Sequence, residues 1–277
     1  MKSLAMNYIH VLTIAGSDSG GGAGIQADLK TFSALGCFGT SVITAVTAQN
    51  TMGVRSVHGI PVAMIKDQLQ AVLDDIAPVA IKIGMVNHAE VVDVIETELK
   101  HYPAKVPVIL DPVMVATSGH KLITPDTVEQ LIDKLFPLVS LVTPNIDEAV
   151  ILAEQPIHNL DDMVAAGKKI IEKGAKAVLV KGGHLIGPVI YDVLICGSDA
   201  PVILESTFIA SKNLHGTGCT LSSAIAGEMA KGKTLLAAIK NAKNYISRAL
   251  QAGSEVKTGE GNGPLNHFFE PLKLIIQ

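Results

Sequence analysis

Residues 8–15, YIHVLTIA, form an apolar, β-branched run with no polar alternation, followed by Gly16-Ser17-Asp18-Ser19-Gly20-Gly21-Gly22-Ala23-Gly24 and a helical segment from Ile25 to Leu35. A strand that is apolar on both faces must be buried on both, and a strand running directly into a helix is the building unit of a parallel sheet. The unit recurs along the chain. Strands are expected over 40–48, 80–85, 106–115, 138–143 and 177–181. Between them lie helical segments from Pro61 to Asp75, His88 to Lys100, Thr124 to Pro137, Asp147 to Glu154 and Leu160 to Lys173. Proline at the first helical position and apolar residues Ile65, Leu69, Val72 and Leu73 at helical spacing mark the second helix. Residues 189–196 and 201–209 read as an antiparallel pair turning at Gly197-Ser198-Asp199, and two helices, 218–231 and 234–252, precede a Gly-rich tail from Lys257 to Pro264. Such alternation implies an α/β fold, with right-handed crossovers, a mostly parallel sheet and helices on both faces. No linker or internal repeat divides it, so residues 1–277 read as one domain.

Composition narrows the function. With 22 basic and 26 acidic residues the net charge is −4, no basic face stands out, and aromatics are 4% with no Trp, so nucleic acid is excluded as a partner. The apolar run Ile9 to Ala15 is too short to cross a membrane, and the N-terminus, with Lys2 as its one charge, lacks a signal-peptide pattern. Cys37, Cys196 and Cys219 are odd in number and have no metal-ligand or CxxC spacing, which points to a reducing compartment and a cytoplasmic protein.

In a parallel sheet ligands bind outside the carboxyl ends of the strands. The strand-closing residues Ser17, Asp18, Gln49, Met85, Asp111, Asn145, Lys181 and the Gly216 turn are therefore expected around one cleft. The sharpest of these stretches is Asn213-Leu214-His215-Gly216-Thr217-Gly218-Cys219-Thr220. A Gly-x-Gly turn feeding a helix aims unpaired N–H groups at one point, where they hold a phosphate or a developing oxyanion. The helix dipole there is expected to favour thiolate at Cys219, making it a base or nucleophile; taken alone, the same residues fit a tight turn with a packed thiol equally well.

Other motifs are weaker. Gly227 to Thr234 matches the Walker A pattern, but a helix, not a strand, precedes it, so it reads as a helix C-terminus. The first glycine-rich joint lacks G-x-G-x-x-G spacing, since the sixth position from Gly20 is Ile25 and from Gly22 is Ala27. Its polar set, Ser17, Asp18 and Asp28, would suit a hydroxyl or an exocyclic amine, or Asp28 is an ordinary surface aspartate. Asp111 and Glu148 bring hard oxygens to one sheet edge, as Mg²⁺ prefers, although each alone fits a turn aspartate or an exposed helical glutamate. Lys181-Gly182-Gly183 would set an ammonium beside a nucleotide, or be solvated.

Together these segments resemble the ribokinase-like superfamily, and within it the hydroxymethylpyrimidine/phosphomethylpyrimidine kinases of thiamine biosynthesis and the closely similar pyridoxal kinases. The resemblance is carried by AGSDSGGGAGIQADLKT at 15–31, TAQNT at 47–51, KIGM at 82–85, LDPVMVATSG at 110–119, TPNIDEA at 143–149, VKGGH at 180–184, HGTGCTLSSAIA at 215–226 and GPLNHF at 263–268. It implies a three-layer sandwich and ATP-dependent phosphorylation of a pyrimidine hydroxymethyl group and then of the monophosphate. It assigns Gly16, Asp28, Gln49, Met85 and Val113 to the acceptor, Asn145, Lys181 and Gly183 to ATP, and Asp111 and Glu148 to Mg²⁺. Gly216, Thr217, Gly218 and Cys219 fall on the anion hole and catalytic position, with all four N–H groups expected in the hole. Sugar kinases of the superfamily end this motif in aspartate; here cysteine holds that place. Leu214 replaces a threonine common in pyrimidine kinases, and Gly261-Asn262-Gly263-Pro264 replaces their GHGP. A homodimer, formed through an apolar edge strand or helix, is expected. Pyridoxal kinase, or dual activity, is the alternative enzyme, and a precursor-binding regulator without turnover the alternative class.

Overall fold

Strands and helices alternate along the chain in a computed structural model that describes residues 6–115, 123–183 and 189–277. They are β1 (His10–Asp18), α1 (Gly24–Ala34), β2 (Phe38–Asn50), β3 (Gly53–Gly59), α2 (Val62–Asp75), β4 (Ala80–Ile83), α3 (Ala89–His101) and β5 (Val108–Leu110). There follow α4 (Pro125–Gln130, continued by a π turn over Leu131–Leu135), β6 (Leu141–Val142), α5 (Ile146–Ala153), α6 (Leu160–Glu172), β7 (Ala177–Lys181), β8 (Val189–Cys196), β9 (Val202–Thr207), α7 (Thr217–Ala230) and α8 (Leu235–Gly253). Lys2, residues 116–119 of the LDPVMVATSG segment and His184 of VKGGH lie outside the described residues.

The nine strands form one sheet in the order β3-β2-β1-β4-β5-β6-β7-β8-β9. Pairings from β2 through β1, β4, β5, β6 and β7 are parallel, while β3 at one edge and β8 and β9 at the other run antiparallel. The expected mostly parallel sheet is thus present. From β1 the chain first winds outward to β2 and β3, then returns across β1 to β4, so the topological switch point, where a crevice opens, lies between β1 and β4.

Strand alternation divides the interior in two. Leu12 and Ile14 of β1 with Ile81 and Ile83 of β4 pack under α2, α3, α5 and α6, while Ile9, Val11 and Ala80 pack under α1, α7 and α8. By the same period of two, Thr13 and Lys82 point toward α1 and α7.

Three differences from the sequence reading have physical causes. Strand β3 went unread because GVRSVHG is exposed along most of its length and is held by its ladder to β2, not by burial. Strands β5 and β6 are shorter than expected: Pro112 has no N–H to extend the ladder beyond β5, and the N–H groups of Leu138 and Val139 turn back to the Leu135 carbonyl before β6. Strand β1 runs on through Asp18, past a register shift between Ala15 and Ser17.

Candidate active site

A cavity of about 620 Å³ opens at the carboxyl ends of the parallel strands. Gly16, Gln49, Met85, Asp111, Val113, Asn145, Glu148, Lys181, Gly183, Gly216, Thr217, Gly218 and Cys219 all line it; Asp28 does not. Six different strand ends and the start of α7 therefore converge on one space.

The first glycine-rich joint is wound around a carboxylate. Asp18 accepts the backbone N–H groups of Gly20 (2.8 Å), Gly22 (3.0 Å) and Ala23 (2.9 Å). His215 Nε2, from the second joint, lies 2.8 Å from Asp18 Oδ2 and 3.1 Å from Gln49 Nε2. Burial alone would raise the Asp18 carboxyl, but His215 and the N–H groups of Ala23 and Gly20 hold it below its usual value. The loops also meet backbone to backbone. Gly216 has φ +84°, and a Cβ there would lie 1.8 Å from the Gly22 carbonyl oxygen, so only glycine fits.

Gly216 caps α7, and the first N–H with an acceptor one turn back is that of Thr220, bonded to the Gly216 carbonyl at 2.9 Å. The Thr217 N–H turns back to the Leu214 carbonyl at 3.2 Å, so it is not available to an anion as the sequence suggested. Among the described bonds those of Gly218 and Cys219 have no acceptor, as expected for a first helical turn. Cys219 is half-buried beside them. Burial opposes the expected thiolate: it pushes the Cys219 thiol up to about 11, Lys82 pulls it back, and Asp28 and Asp111 raise it further.

Asp28 is corrected in position. Its carboxylate lies beneath the cavity, fully buried, where it accepts from Thr13 Oγ1 (2.6 Å), Ser223 Oγ (2.6 Å) and Lys82 Nζ (3.0 and 2.9 Å). With these donors already placed on it, Asp28 is turned away from any acceptor; Lys82, on its other side, lines the cavity.

At the opposite end Lys181 Nζ donates to Asp111 Oδ1 at 2.9 Å, and Ser222 Oγ lies 3.3 Å from Asp111 Oδ2. A Cβ on Gly218 would stand 3.3 Å from Lys181 Nζ and 3.6 Å from Asp111 Oδ2, which places the opening of α7 directly over this pair. Burial opposes the Asp111 charge, yet Lys181 and Lys82 hold its carboxyl below the usual range. Asn145 and Glu148 form a capping box on α5: Glu148 N–H donates to Asn145 Oδ1 (2.9 Å) and Asn145 N–H to Glu148 Oε2 (2.8 Å). Burial pushes the Glu148 carboxyl up to about 7, Lys181 lowers it and the nearby Asp111 charge raises it. Two carboxylates that disfavour each other's charge at one cavity wall fit a divalent cation. Among the described residues no three His, Cys, Asp or Glu side chains enclose a metal site.

Comparison with known proteins decides the family. The family model described as phosphomethylpyrimidine kinase matches residues 18–266. The chain belongs to the phosphomethylpyrimidine kinase family. It is 48% identical to the hydroxymethylpyrimidine/phosphomethylpyrimidine kinase of Rhizobium meliloti strain 1021, over 93% of this chain and 96% of that one. Among solved structures it resembles phosphomethylpyrimidine kinase from Clostridium difficile 630 (47% identity, TM-score 0.77, 87% of this chain and 99% of that one). It also resembles pyridoxal kinase from Staphylococcus aureus in complex with AMP-PCP and pyridoxal (32% identity, TM-score 0.86, 94% of each chain).

In this kinase two residues have a place that sequence reasoning left without a role, His215 as the partner of Asp18 and Lys82 on the cavity floor, while Asp18, expected at the cleft, is the loop anchor. The signal for Lys82 was present, since an isolated lysine in the apolar strand segment Ala80–Ile83 needs a buried counter-charge. For His215 and Asp18 no local pattern announces a contact between residues so far apart in sequence. Among the described residues no helix is long and apolar enough to cross a membrane.

Proposed function

We propose that this kinase transfers the γ-phosphoryl group of ATP to the hydroxymethyl oxygen of 4-amino-5-hydroxymethyl-2-methylpyrimidine, and then phosphorylates the monophosphate to the pyrophosphate used for thiamine. The observation that carries this reading is the meeting of the α7 N-terminus, with Cys219, and the Lys181–Asp111 pair in one cavity. Phosphoryl transfer requires little covalent help from the protein and depends on positioning and charge. The N–H groups of Gly218 and Cys219, assisted by the turn at Gly216 and Thr217, face the transferring phosphoryl group. Lys181, Asn145 and Gly183 accommodate the ATP phosphates.

Asp111 and Glu148 would hold Mg²⁺, which supplies positive charge beside the phosphates. Gly16, Gln49, Met85 and Val113 enclose the pyrimidine, Gln49 reading its polar edge beside His215. The acceptor O–H gives its proton to the Cys219 thiolate as oxygen attacks the γ-phosphorus; the bond to the bridging oxygen breaks, and ADP leaves. Asp28 has no place in this contact set; it acts from below.

Pyridoxal is the second reading, supported by the likeness to a pyridoxal kinase. Comparison of kcat/KM for the hydroxymethylpyrimidine, its monophosphate and pyridoxal separates the two, with the monophosphate expected to be turned over. Preference for pyridoxal with an inert monophosphate refutes the thiamine reading, and stable ATP and pyrimidine binding without ADP release would instead make the protein a regulator.

We further read residues 1–277 as one kinase domain working in the cytoplasm as a homodimer. The β2–β3 ribbon carries exposed Val46, Met52 and Val57 at the sheet edge, a surface suited to pairing with a second copy. Sedimentation tests this: wild type at twice the chain mass, and Met52→Lys/Val57→Lys at the chain mass.

A further inference from the structure

Lys82 takes no part in the transfer as derived above, yet it is a charge with no exposure at all. An ion pair buried this deeply costs desolvation that its attraction barely offsets, so stability alone does not account for it. Its ammonium is held from below by both oxygens of Asp28, which is itself filled by the Thr13 and Ser223 hydroxyls. Ser223 lies one helical turn after Cys219 on the same face of α7, so the Asp28–Lys82 pair sits directly under the Cys219 stretch. Lys82 and Cys219 line the same cavity. The groups that act on the Cys219 sulfur are the Lys82 and Lys181 ammoniums, the Asp28 and Asp111 carboxylates, and the Gly24 N–H.

We propose that Lys82 is a positioning residue for the transfer: anchored by Asp28, its ammonium favours the thiolate form of Cys219 and readies that sulfur to take the hydroxymethyl proton. The inference rests on the base role given to Cys219 under Proposed function. Asp28 is the anchor that fixes the ammonium and also the anion that opposes the thiolate, so the two members of the pair act on Cys219 with opposite signs.

That opposition supplies the test. The rate of Cys219 alkylation by iodoacetamide at fixed pH, read from the mass of the peptide carrying it, reports the thiolate fraction in the whole chain without nucleotide or metal. Lys82→Met is expected to slow alkylation about tenfold or more, and Asp28→Asn to speed it by a similar factor. Loosened packing would expose the thiol in both variants and speed both.

Should Lys82→Met not fold, Asp28→Asn is compared with Lys82→Met/Asp28→Asn, which buries no lone charge; the double variant is expected to react about tenfold more slowly. Equal rates, or both single variants moving the same way, overturn the role of Lys82. If the rates diverge as stated but wild type phosphorylates no acceptor, the kinase reading falls and the charge relationship stands. If wild type is active and the rates do not diverge, Lys82 alone loses its role.

Discussion

His215 Nε2 stands 2.8 Å from Asp18 Oδ2, joining residues 197 positions apart. That contact ties the loop after β1 to the loop before α7, one wrapped on the Asp18 carboxylate and the other leading to Cys219. The spacing between the loop after β1 and the turn that opens α7 is therefore set by this charge-assisted contact together with the close approach of Gly216 to the Gly22 carbonyl.

Loss of the imidazole separates acceptor binding from nucleotide binding. His215→Ala leaves Asp18 with backbone donors only and removes the ring that stands 3.1 Å from Gln49 Nε2. A lost hydrogen bond to a charged group is worth about 1.5–3 kcal/mol, so KM for the pyrimidine is expected to rise about tenfold or more, with KM for ATP little changed. Equal increases in both constants would mean that the contact serves general stability.

Asp18 also sets an acid limit. Its folded-state carboxyl lies below the ordinary value of 3.8, so its contribution to stability is present above that value and is lost as pH falls through the folded-state titration. Thermal melts at stepwise pH below about 4 should show wild type losing Tm faster on acidification than Asp18→Asn, which has no carboxylate to protonate. Parallel curves would assign the acid response to other groups.

Gly216→Ala tests the loop contact without changing any charge. The new methyl would sit 1.8 Å from the Gly22 carbonyl oxygen at a φ of +84°, so the backbone of one loop must move. Misplacement by about 1 Å costs on the order of a hundredfold in rate, and kcat is expected to fall by that order while circular dichroism remains that of wild type. An unimpaired kcat would show that the turn tolerates displacement.

Cys219 is the residue whose removal bears on chemistry. General-base catalysis is worth about 10²- to 10⁴-fold, and Cys219→Ala should lower kcat by that order with modest change in ATP binding. Because burial holds the thiol up near about 11, the thiolate fraction in the wild type grows with pH. Its kcat/KM should climb between pH 7 and 9, and the alanine variant should lack the climb. Turnover within about twofold of wild type would remove Cys219 from the mechanism.

Much of the fold was legible because apolar periodicity is a local property. The run at β1 and the Pro61 helix start could be placed from neighbouring residues alone, and the strand-closing rule assembled most of the cavity wall in advance. Strand β3 escaped because its stability comes from hydrogen bonding to β2 and not from a buried face. Asp28 was misplaced because a helix-borne aspartate looks the same in sequence whether it meets solvent or a buried lysine.

The sequence by itself determined the alternation of strand and helix, the glycine turn leading into Cys219, and the set of polar residues that close the strands. Tertiary structure alone decided which of those groups touch. Asp18 anchors to His215, Asp28 turns down onto Lys82, Thr217 spends its N–H on Leu214, and burial pushes the Cys219 thiol up. The reason is physical: periodicity is written over a few neighbouring residues, whereas desolvation and charge pairing depend on groups brought together from distant parts of the chain.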